Sequence, residues 1–575
     1  MNLKNGTIAI LFCMILSLDV YCQDTTASPF IHINQLGYLP GGSKIALVSS
    51  ALGMPFSVLT SDTGKPLLKG MLQLAEANNR ESGEHVWAAD FSIFHSTGTF
   101  LLEVQGLGKS YPFRIDDNLY SNLGREALRS FYFHRCGMAL TQEYAGVWKH
   151  PACHQTDGVL FSATPVNENP PKIDAVGGWH DGSDYGKYVV NGAFAVGMLL
   201  TLYEVFPDVF PDGSLQIPES GNNVPDILDE VRWEIEWLLK MQSESGGIYH
   251  KLTPLETVKP IPPQEEKEPR IIFPVSTAAT ASMCAVTAKA SRLFSPFDAT
   301  FSTRCLNAAE SAWLYLETHP SDGGFKNPAG VGTQAYGDVD DSDERFWAAI
   351  ELYRATEEDR LREIMLALAK NRAPLITASG FWGNVTPLAV ASILNATERF
   401  GKELKEEARA DLIAFADILH EKIRSDGYRL SIKSGEFVWG SNSFVLQNAV
   451  VLLLAGLHRS DRAYVDAVME QLHYILGRNP LSTCFVTGYG SQSPQSPYHY
   501  FSMTDKIKEP IPGLLVGGPN QFLNDGFLKR SFNETSPPAL TYKDVEESFA
   551  SNESSLSWNA ALVFVVTGLE KQMDL

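Results

Sequence analysis

Asp181 and Asp184 lie three positions apart in GGWHDGSDYGKY (177–188), with His180 directly before them. A turn asks for one Asp or Gly, and a solvated face has no use for the neighbouring Trp179. Paired carboxylates suit hydrolysis of a glycosidic bond. One carboxyl must be protonated to serve the leaving oxygen, and in inverting enzymes a second carboxylate activates water on the opposite face. Room for that water keeps the two groups apart, so they tend to come from different loops. The distant candidate is TYKDVEESFASNESSLSWNA (541–560), where Asp544 and Glu553 flank Phe549 just before an apolar run. A carboxylate in that place is more often a helix cap.

The thiols raise a second question. Of seven cysteines, Cys13 and Cys22 fall in the N-terminal apolar segment, leaving Cys136, Cys153, Cys284, Cys305 and Cys484. Five scattered cysteines do not make a disulfide scaffold. Cys136, Cys153, His154 and His180 supply two thiolates and two imidazoles, a complete tetrahedral zinc set. Their spacing alone favours buried cysteines and ordinary loop histidines.

Composition narrows the partners. The 575 residues are 44% hydrophobic and 11% aromatic, with a formal net charge of −21. That charge argues against nucleic acid and anionic membranes and leaves neutral polymers such as polysaccharides. No obligate protein partner is indicated. Residues 1–22 read as a signal peptide: Lys4 precedes the apolar run IAILFCMILSL (8–18), which is short for a membrane span. A secreted or periplasmic protein is expected, with a lipid anchor at Cys22 as the alternative.

These groups need elements to hold them. From 29 to 116 the chain alternates with period two in KIALVSS, PFSVLT, HVWAADFSIF, GTFLLEV and SYPFRI, which predicts a small β-sandwich. From 117 to 575 it reads as helices joined by long Gly/Pro-rich loops. Twelve are predicted, near 121–142, 188–206, 224–242, 275–293, 303–318, 341–355, 358–370, 386–400, 402–424, 443–457, 460–476 and 555–573. Twelve helices can pair into an (α/α)6 barrel whose loops gather at one end. The stretches 145–185, 319–342 and 478–552 are too long to be connectors alone, and each sets Trp, Tyr or His beside carboxylates.

Taken together, the two carboxylate stretches resemble family-nine glycoside hydrolases, the cellulase family whose base loop usually reads GGWxDAGDYGKY. The likeness extends to INQLGYLP (33–40), FYFHRCG (131–137), PESGNNVPDILDE (218–230), LGRNPLSTCFVTGYG (476–490) and PGLLVGGPN (512–520). It implies a multidomain chain, an N-terminal immunoglobulin-like sandwich followed by the all-α (α/α)6 barrel. It also implies that Asp184 is the general base, that Asp181 helps hold the water, that Glu553 is the general acid and that Asp544 supports its loop. An apolar setting from Phe549 and Trp558 would keep Glu553 protonated, whereas hydrogen-bonding neighbours would keep Asp184 ionised. The resemblance further implies a structural zinc on Cys136, Cys153, His154 and His180. Calcium is a further candidate, at DVDDSDE (338–344) or at PESGNN with Asp226, against helix capping by Asp341 and Ser342.

Two departures from the family pattern stand out. SPYHYFSM (496–503) puts Tyr498 and Tyr500 where a His-x-Arg element is common, with His499 between them, and the base loop has Gly182-Ser183 where Ala-Gly is common. Tyr498, His499, Trp382 and Trp439 are the candidate sugar contacts. The expected activity is an inverting endo-β-1,4-glucanase acting on a β-glucan polysaccharide or oligosaccharide. The rivals are an exo-acting β-glucosidase or β-glucosaminidase and, from another class, a glycan-binding protein whose catalytic site has decayed.

Overall fold

The computed structural model describes residues 27–162, 171–397, 400–459 and 461–574; the expected signal peptide, with Cys13 and Cys22, lies outside the described residues. The N-terminal region is a β-sandwich. One sheet runs in the order Ile31–His32, Ile45–Ser49, Val86–Asp90, Gln73–Glu76. The other runs Gly37–Tyr38, Phe113–Ile115, Gly98–Val104, Pro55–Thr60, Pro66–Met71, with Gly108–Lys109 added on Gly98–Val104. Alternation along Gly98–Val104 buries Phe100, Leu102 and Val104, which pack with Ile31, Val58 and Phe113 between the sheets. Five strands of the sandwich that the periodicity did not predict explain themselves. Ile31–His32, Gly37–Tyr38 and Gly108–Lys109 are too short to show a period, and Pro66–Met71 and Gln73–Glu76 are largely exposed on edges.

All twelve expected long helices are present. Six are buried nearly all round and pack in series. Leu556–Asp574 lies against Ser441–His458 and Val189–Val205; Val189–Val205 meets Thr277–Phe294, which meets Ser342–Thr356, which meets Thr386–Asn395. Every residue from Val189 to Tyr203 is buried, the mark of a helix with neighbours on every side. Outer helices show one apolar stripe instead: Lys402–Arg424 buries only Leu404, Ala408, Leu412, Ala416, Leu419 and Ile423, at helical spacing. The sequence suggests no run beyond the N-terminal segment long and apolar enough to cross a membrane, but Ser441–His458 is one by length and composition; it is an inner barrel helix, 78% buried there. The first helix stops at Phe133 rather than 142, because the chain turns through His134 and Gly137 (φ +84°) to deliver Cys136.

The sandwich is fastened to the barrel by INQLGYLP. Gln35 Nε2 donates to Ser482 O (2.6 Å), and its Oε1 accepts from the N–H groups of Ser491 and Gln492 (2.8 Å each). Asn34 Nδ2 lies 2.9 Å from His473 Nδ1. These bonds fix the start of the long loop that carries Tyr498 and, further on, Glu553.

Candidate active site

The base loop is clamped from below. Gly178 has φ +73°, and a Cβ there would lie 2.7 Å from the Trp237 ring, so only glycine fits. Trp179 is buried, its N–H donating to Glu234 Oε2 (2.6 Å) and its indole N–H to Glu230 Oε1 (2.9 Å). The Asp181 N–H closes the turn on Gly186 O (2.9 Å). Lys187–Tyr188 then pairs with Lys251–Thr253 and runs directly into the inner helix.

The acid loop is held by a polar web. Asn552 Nδ2 donates to Ser496 O (2.6 Å) and Asp544 Oδ1 (3.1 Å), and its Oδ1 accepts from Tyr542 OH (2.7 Å). Asp544 also accepts from the N–H groups of Gln495 (2.7 Å) and Ser496 (3.0 Å). Glu553 O accepts from Gly517 N–H (2.8 Å), and the Leu556 N–H donates to Asp181 O (2.9 Å), which joins the two loops.

Both loops open on one cleft of about 800 Å³. Among the described residues, its charged lining is Asp181, Asp184 and Glu553, with no Lys, Arg or His, while aromatic rings form much of the wall. Such a surface suits neutral sugars, whose ring faces stack on aromatics and whose hydroxyls bond carboxylates. Glu553 Oε1 accepts from Ser183 Oγ (2.5 Å) and Oε2 from Trp439 Nε1 (2.9 Å). Burial, with the nearby Asp184 and Asp181 charges, nevertheless pushes its pKa up to about 8. Asp181 is raised to about 7 by burial, opposed by hydrogen bonds from Asn191 Nδ2 (2.6 Å) and Tyr336 OH (2.8 Å). Burial raises Asp184 as well, and the Gly186 N–H (2.8 Å) offsets it only in part, so hydrogen bonds do not hold this carboxylate low as the sequence reading expected. With a pKa of about 8 against about 7 for Asp181, Glu553 holds its proton to higher pH than Asp181 does.

Beneath the base loop, Cys136, Cys153, His154 and His180 present ligand atoms all within 4.8 Å of one another. His154 turns Nδ1 toward Cys136 Sγ (3.6 Å) and His180 Nε2 (3.3 Å), while its Nε2 lies 2.9 Å from Glu266 Oε2. Two thiols, two imidazoles and a carboxylate orienting one ring from behind match the donor set and outer partner of a closed zinc site. A second cluster joins Asp338, Asp343 and Glu344 at the start of Ser342–Thr356. Glu344 is fully buried there and neither of its oxygens has a hydrogen-bond partner. At the other calcium candidate, Asp226 accepts from the N–H groups of Gly213 and Leu215 and from Ser220 Oγ. The capping alternative finds no support at Asp341, which pairs with Arg345 (3.1 Å) and makes no cap hydrogen bond.

Of the expected sugar contacts, Trp382, Trp439 and Tyr498 line the cleft. Trp382 stands edge-on to Tyr336 (5.0 Å between centroids), and Trp439 has its indole N–H committed to Glu553. Tyr498 OH lies 3.2 Å from Tyr500 OH, which in turn donates to Val258 O (2.8 Å). His499 is a correction. The backbone is extended there (φ −144°), so its ring points opposite to its two tyrosine neighbours. It is 3% exposed, its ring nitrogen accepts from Ser502 N–H, and it sits among His134, His150 and His180 behind the cleft. Three site residues escaped the sequence reading: Tyr336, Asn191 and Ser183. Asn191, the first polar residue of an otherwise apolar opening turn in the inner helix that follows the carboxylate pair, carried a legible signal. Tyr336 lay in a stretch already suspected, without anything to single it out.

The comparisons with known proteins agree with this geometry. Residues 120–566 match the model of Glycosyl hydrolase family 9, and residues 26–109 match the Cellulase N-terminal ig-like domain. The chain is 35% identical to the xyloglucan-specific endo-beta-1,4-glucanase of Bacteroides ovatus, over 97% of either protein. It is 33% identical to Endoglucanase D of Acetivibrio thermocellus, covering 94% of this chain and 83% of that one. Among solved structures, a metagenome-derived glycoside hydrolase family 9 endoglucanase superposes with TM-score 0.88 at 33% identity, over 94% and 98% of the two chains. A zinc-binding triple mutant of a family 9 endoglucanase gives 0.87 at 34% identity, over 92% and 99%. This chain belongs to glycoside hydrolase family 9 and carries the family's immunoglobulin-like domain ahead of an (α/α)6 barrel.

Proposed function

We propose that the protein is an inverting endo-β-1,4-glucanase in which Glu553 is the general acid and Asp184 the general base. One observation carries the reading: a buried carboxyl with a pKa near 8 shares an aromatic, cation-free cleft with a pair of carboxylates from a separate loop. In the reaction the Glu553 proton passes to the glycosidic oxygen as the C–O bond breaks. Water adds to the anomeric carbon from the opposite face and gives its proton to Asp184. Asp181, fixed by Asn191 and Tyr336, shares that water, and Asp544 holds the acid loop. The turnover ends with Glu553 ionised and Asp184 protonated, and one proton exchanged with solvent at each resets the site.

Zinc is the proposed occupant of the Cys136, Cys153, His154 and His180 cluster. Four protein ligands leave no open position, so its part is to fix the base loop. Calcium is proposed for Asp338, Asp343 and Glu344, on the strength of the buried, unpartnered Glu344 oxygens. Export by the segment 1–22 is proposed from its apolar run alone.

The test is product release from cellulose, mixed-linkage glucan, xyloglucan, glucomannan, cello-oligosaccharides and chitosan oligosaccharides, with the anomer of the first product read by NMR. Internal cleavage of one β-1,4-glucan with inverted configuration is expected. Release of single sugars from chain ends would replace the endo reading with an exo one. Binding without release would replace it with a glycan-binding protein.

A further inference from the structure

Ser183 is the one residue of the base loop whose side chain reaches the other loop's carboxyl. Its Oγ donates to Glu553 Oε1 at 2.5 Å, while its own carbonyl accepts from Tyr500 N–H (2.9 Å), so the hydroxyl is delivered from a fixed backbone. The residue before it makes the approach possible. A Cβ on Gly182 would lie 2.8 Å from Ser554 O, next to Glu553 in the chain, and would force the loops apart. The Gly-Ser pair, set where the resembled pattern has Ala-Gly, therefore works as a unit: the first residue lets the loops touch and the second makes the contact.

The partner on the other oxygen differs in kind. Trp439 Nε1 can only donate, so Oε2 always faces a donor. A serine hydroxyl donates or accepts, so it can stay bonded to Oε1 whether Glu553 holds its proton or has just given it up. We propose that Ser183 is a positioning residue for the acid, holding the Glu553 carboxyl in one orientation before proton transfer and donating to the carboxylate formed by it. The inference rests on Glu553 being the general acid. The other titratable groups facing Glu553 are Asp181, Asp184, Tyr188, Tyr336, Tyr498 and Tyr500, none of them a cation. Besides Trp439, Ser183 is thus the group that favours the ionised acid.

The experiment uses the full chain with Ser183→Ala, Ser183→Gly and the hydroxyl-keeping Ser183→Thr. Each is assayed on an unactivated cello-oligosaccharide and on a dinitrophenyl cello-oligoside, whose leaving group departs without a proton. Losing a hydrogen bond to a charged group predicts about a 10-fold fall in kcat for the unactivated substrate in the Ala and Gly variants. KM and the dinitrophenyl rate should stay within about 2-fold of wild type, well below that hydrogen-bond effect. The alkaline limb of kcat/KM should move to higher pH, because the carboxylate has lost a donor, and Ser183→Thr should recover most of the rate. Equal losses on both substrates, an unmoved alkaline limb, or a Thr variant no better than Ala would each overturn the proposal. Glu553→Gln on the same two substrates separates the failures. If it spares the dinitrophenyl substrate while Ser183→Ala changes nothing, only the Ser183 role falls. If it impairs both substrates alike, the acid assignment falls with it.

Discussion

The two loops that meet over the cleft are held by different physics. The base loop is short, and its donors converge on a cluster of two thiols and two imidazoles, backed by Glu266 and by Asp157, which pairs with Lys187 (3.0 Å) and Arg270 (3.0 Å). The acid loop has no such cluster. It depends on Asn552, Asp544 and backbone bonds to 495–496 and 516–517. A base that must hold a water against a sugar ring needs fixed geometry, which a metal closed by those four side chains would supply. An acid that must change charge at every turnover gains from neighbours that can reorient, and hydroxyl and amide partners offer that.

The largest effects should come from the carboxylates themselves. Glu553→Gln and Asp184→Asn should each lower kcat on unactivated glucan by about 10²–10⁴-fold, the usual contribution of a general acid or base. The two loops should separate on the activated substrate, where Asp184→Asn remains impaired and Glu553→Gln recovers. Identical behaviour of both variants there would dissolve the division of labour.

Next comes the metal cluster. Cys136→Ser removes one of the four ligands and should lower metal affinity by more than the about 10–100-fold that loss of an outer partner such as Glu266 costs. Bound zinc, measured by metal analysis, kcat and Tm should fall together. Asp544→Ala removes the acceptor for two backbone N–H groups and for Asn552, with an expected cost of about 1–3 kcal/mol. It should depress kcat while leaving the zinc content at wild-type level. Were Asp544→Ala to release zinc, the loops would be one cooperative unit rather than two.

That division was only half visible in the sequence. The helices were legible because the barrel buries long periodic segments, and Val189–Val205 or Lys402–Arg424 could not pack any other way. Asp181, Asp184 and Glu553 were singled out by the resemblance of their two stretches to the family pattern, since each stretch alone read as well as a turn or a cap. What stayed hidden depends on side-chain direction. His499 looked like a cleft residue because it stands between two that are, and only the extended backbone shows that it points away. Ser183 looked like a mild change in a loop, because nothing local says that Glu553, 370 positions on, ends at its hydroxyl. The two edge strands at 66–71 and 73–76 were missed for a related reason: an exposed strand has little pattern to read.

The loops should also respond to pH with opposite signs. The folded pKa of Glu553 lies above its unfolded value, so the folded state holds the extra proton between about pH 4.5 and 8, and its stability contribution is lost as pH rises through that window. Asp157, behind the base loop, is pushed up by burial yet held below the usual carboxylate range by Arg270 and Lys187. Its contribution is present above the unfolded pKa and is lost as the solution turns acidic. Glu553→Gln should therefore raise Tm relative to wild type at pH 9 and lose that advantage toward pH 5, by at most about 1.4 kcal/mol per pH unit. A Tm difference that does not vary with pH would mean that Glu553 titrates normally.

The smallest effects should come from two rings that differ in what stands behind them. Phe522 is 53% exposed at the cleft rim and reaches neither carboxylate loop through a hydrogen bond, so it can act on substrate only by stacking. An aromatic contact of about 0.5–1.5 kcal/mol predicts a 2- to 10-fold rise in KM for Phe522→Ala with kcat unchanged. Trp382 packs against Tyr336, whose hydroxyl holds Asp181, so Trp382→Ala should raise KM and lower kcat together. If both variants change KM alone, Tyr336 is held by its own loop and the base side of the cleft is stiffer than this packing implies. If Phe522→Ala lowers kcat instead, substrate binding at the rim aligns the acid, and the acid loop is completed only by the glycan.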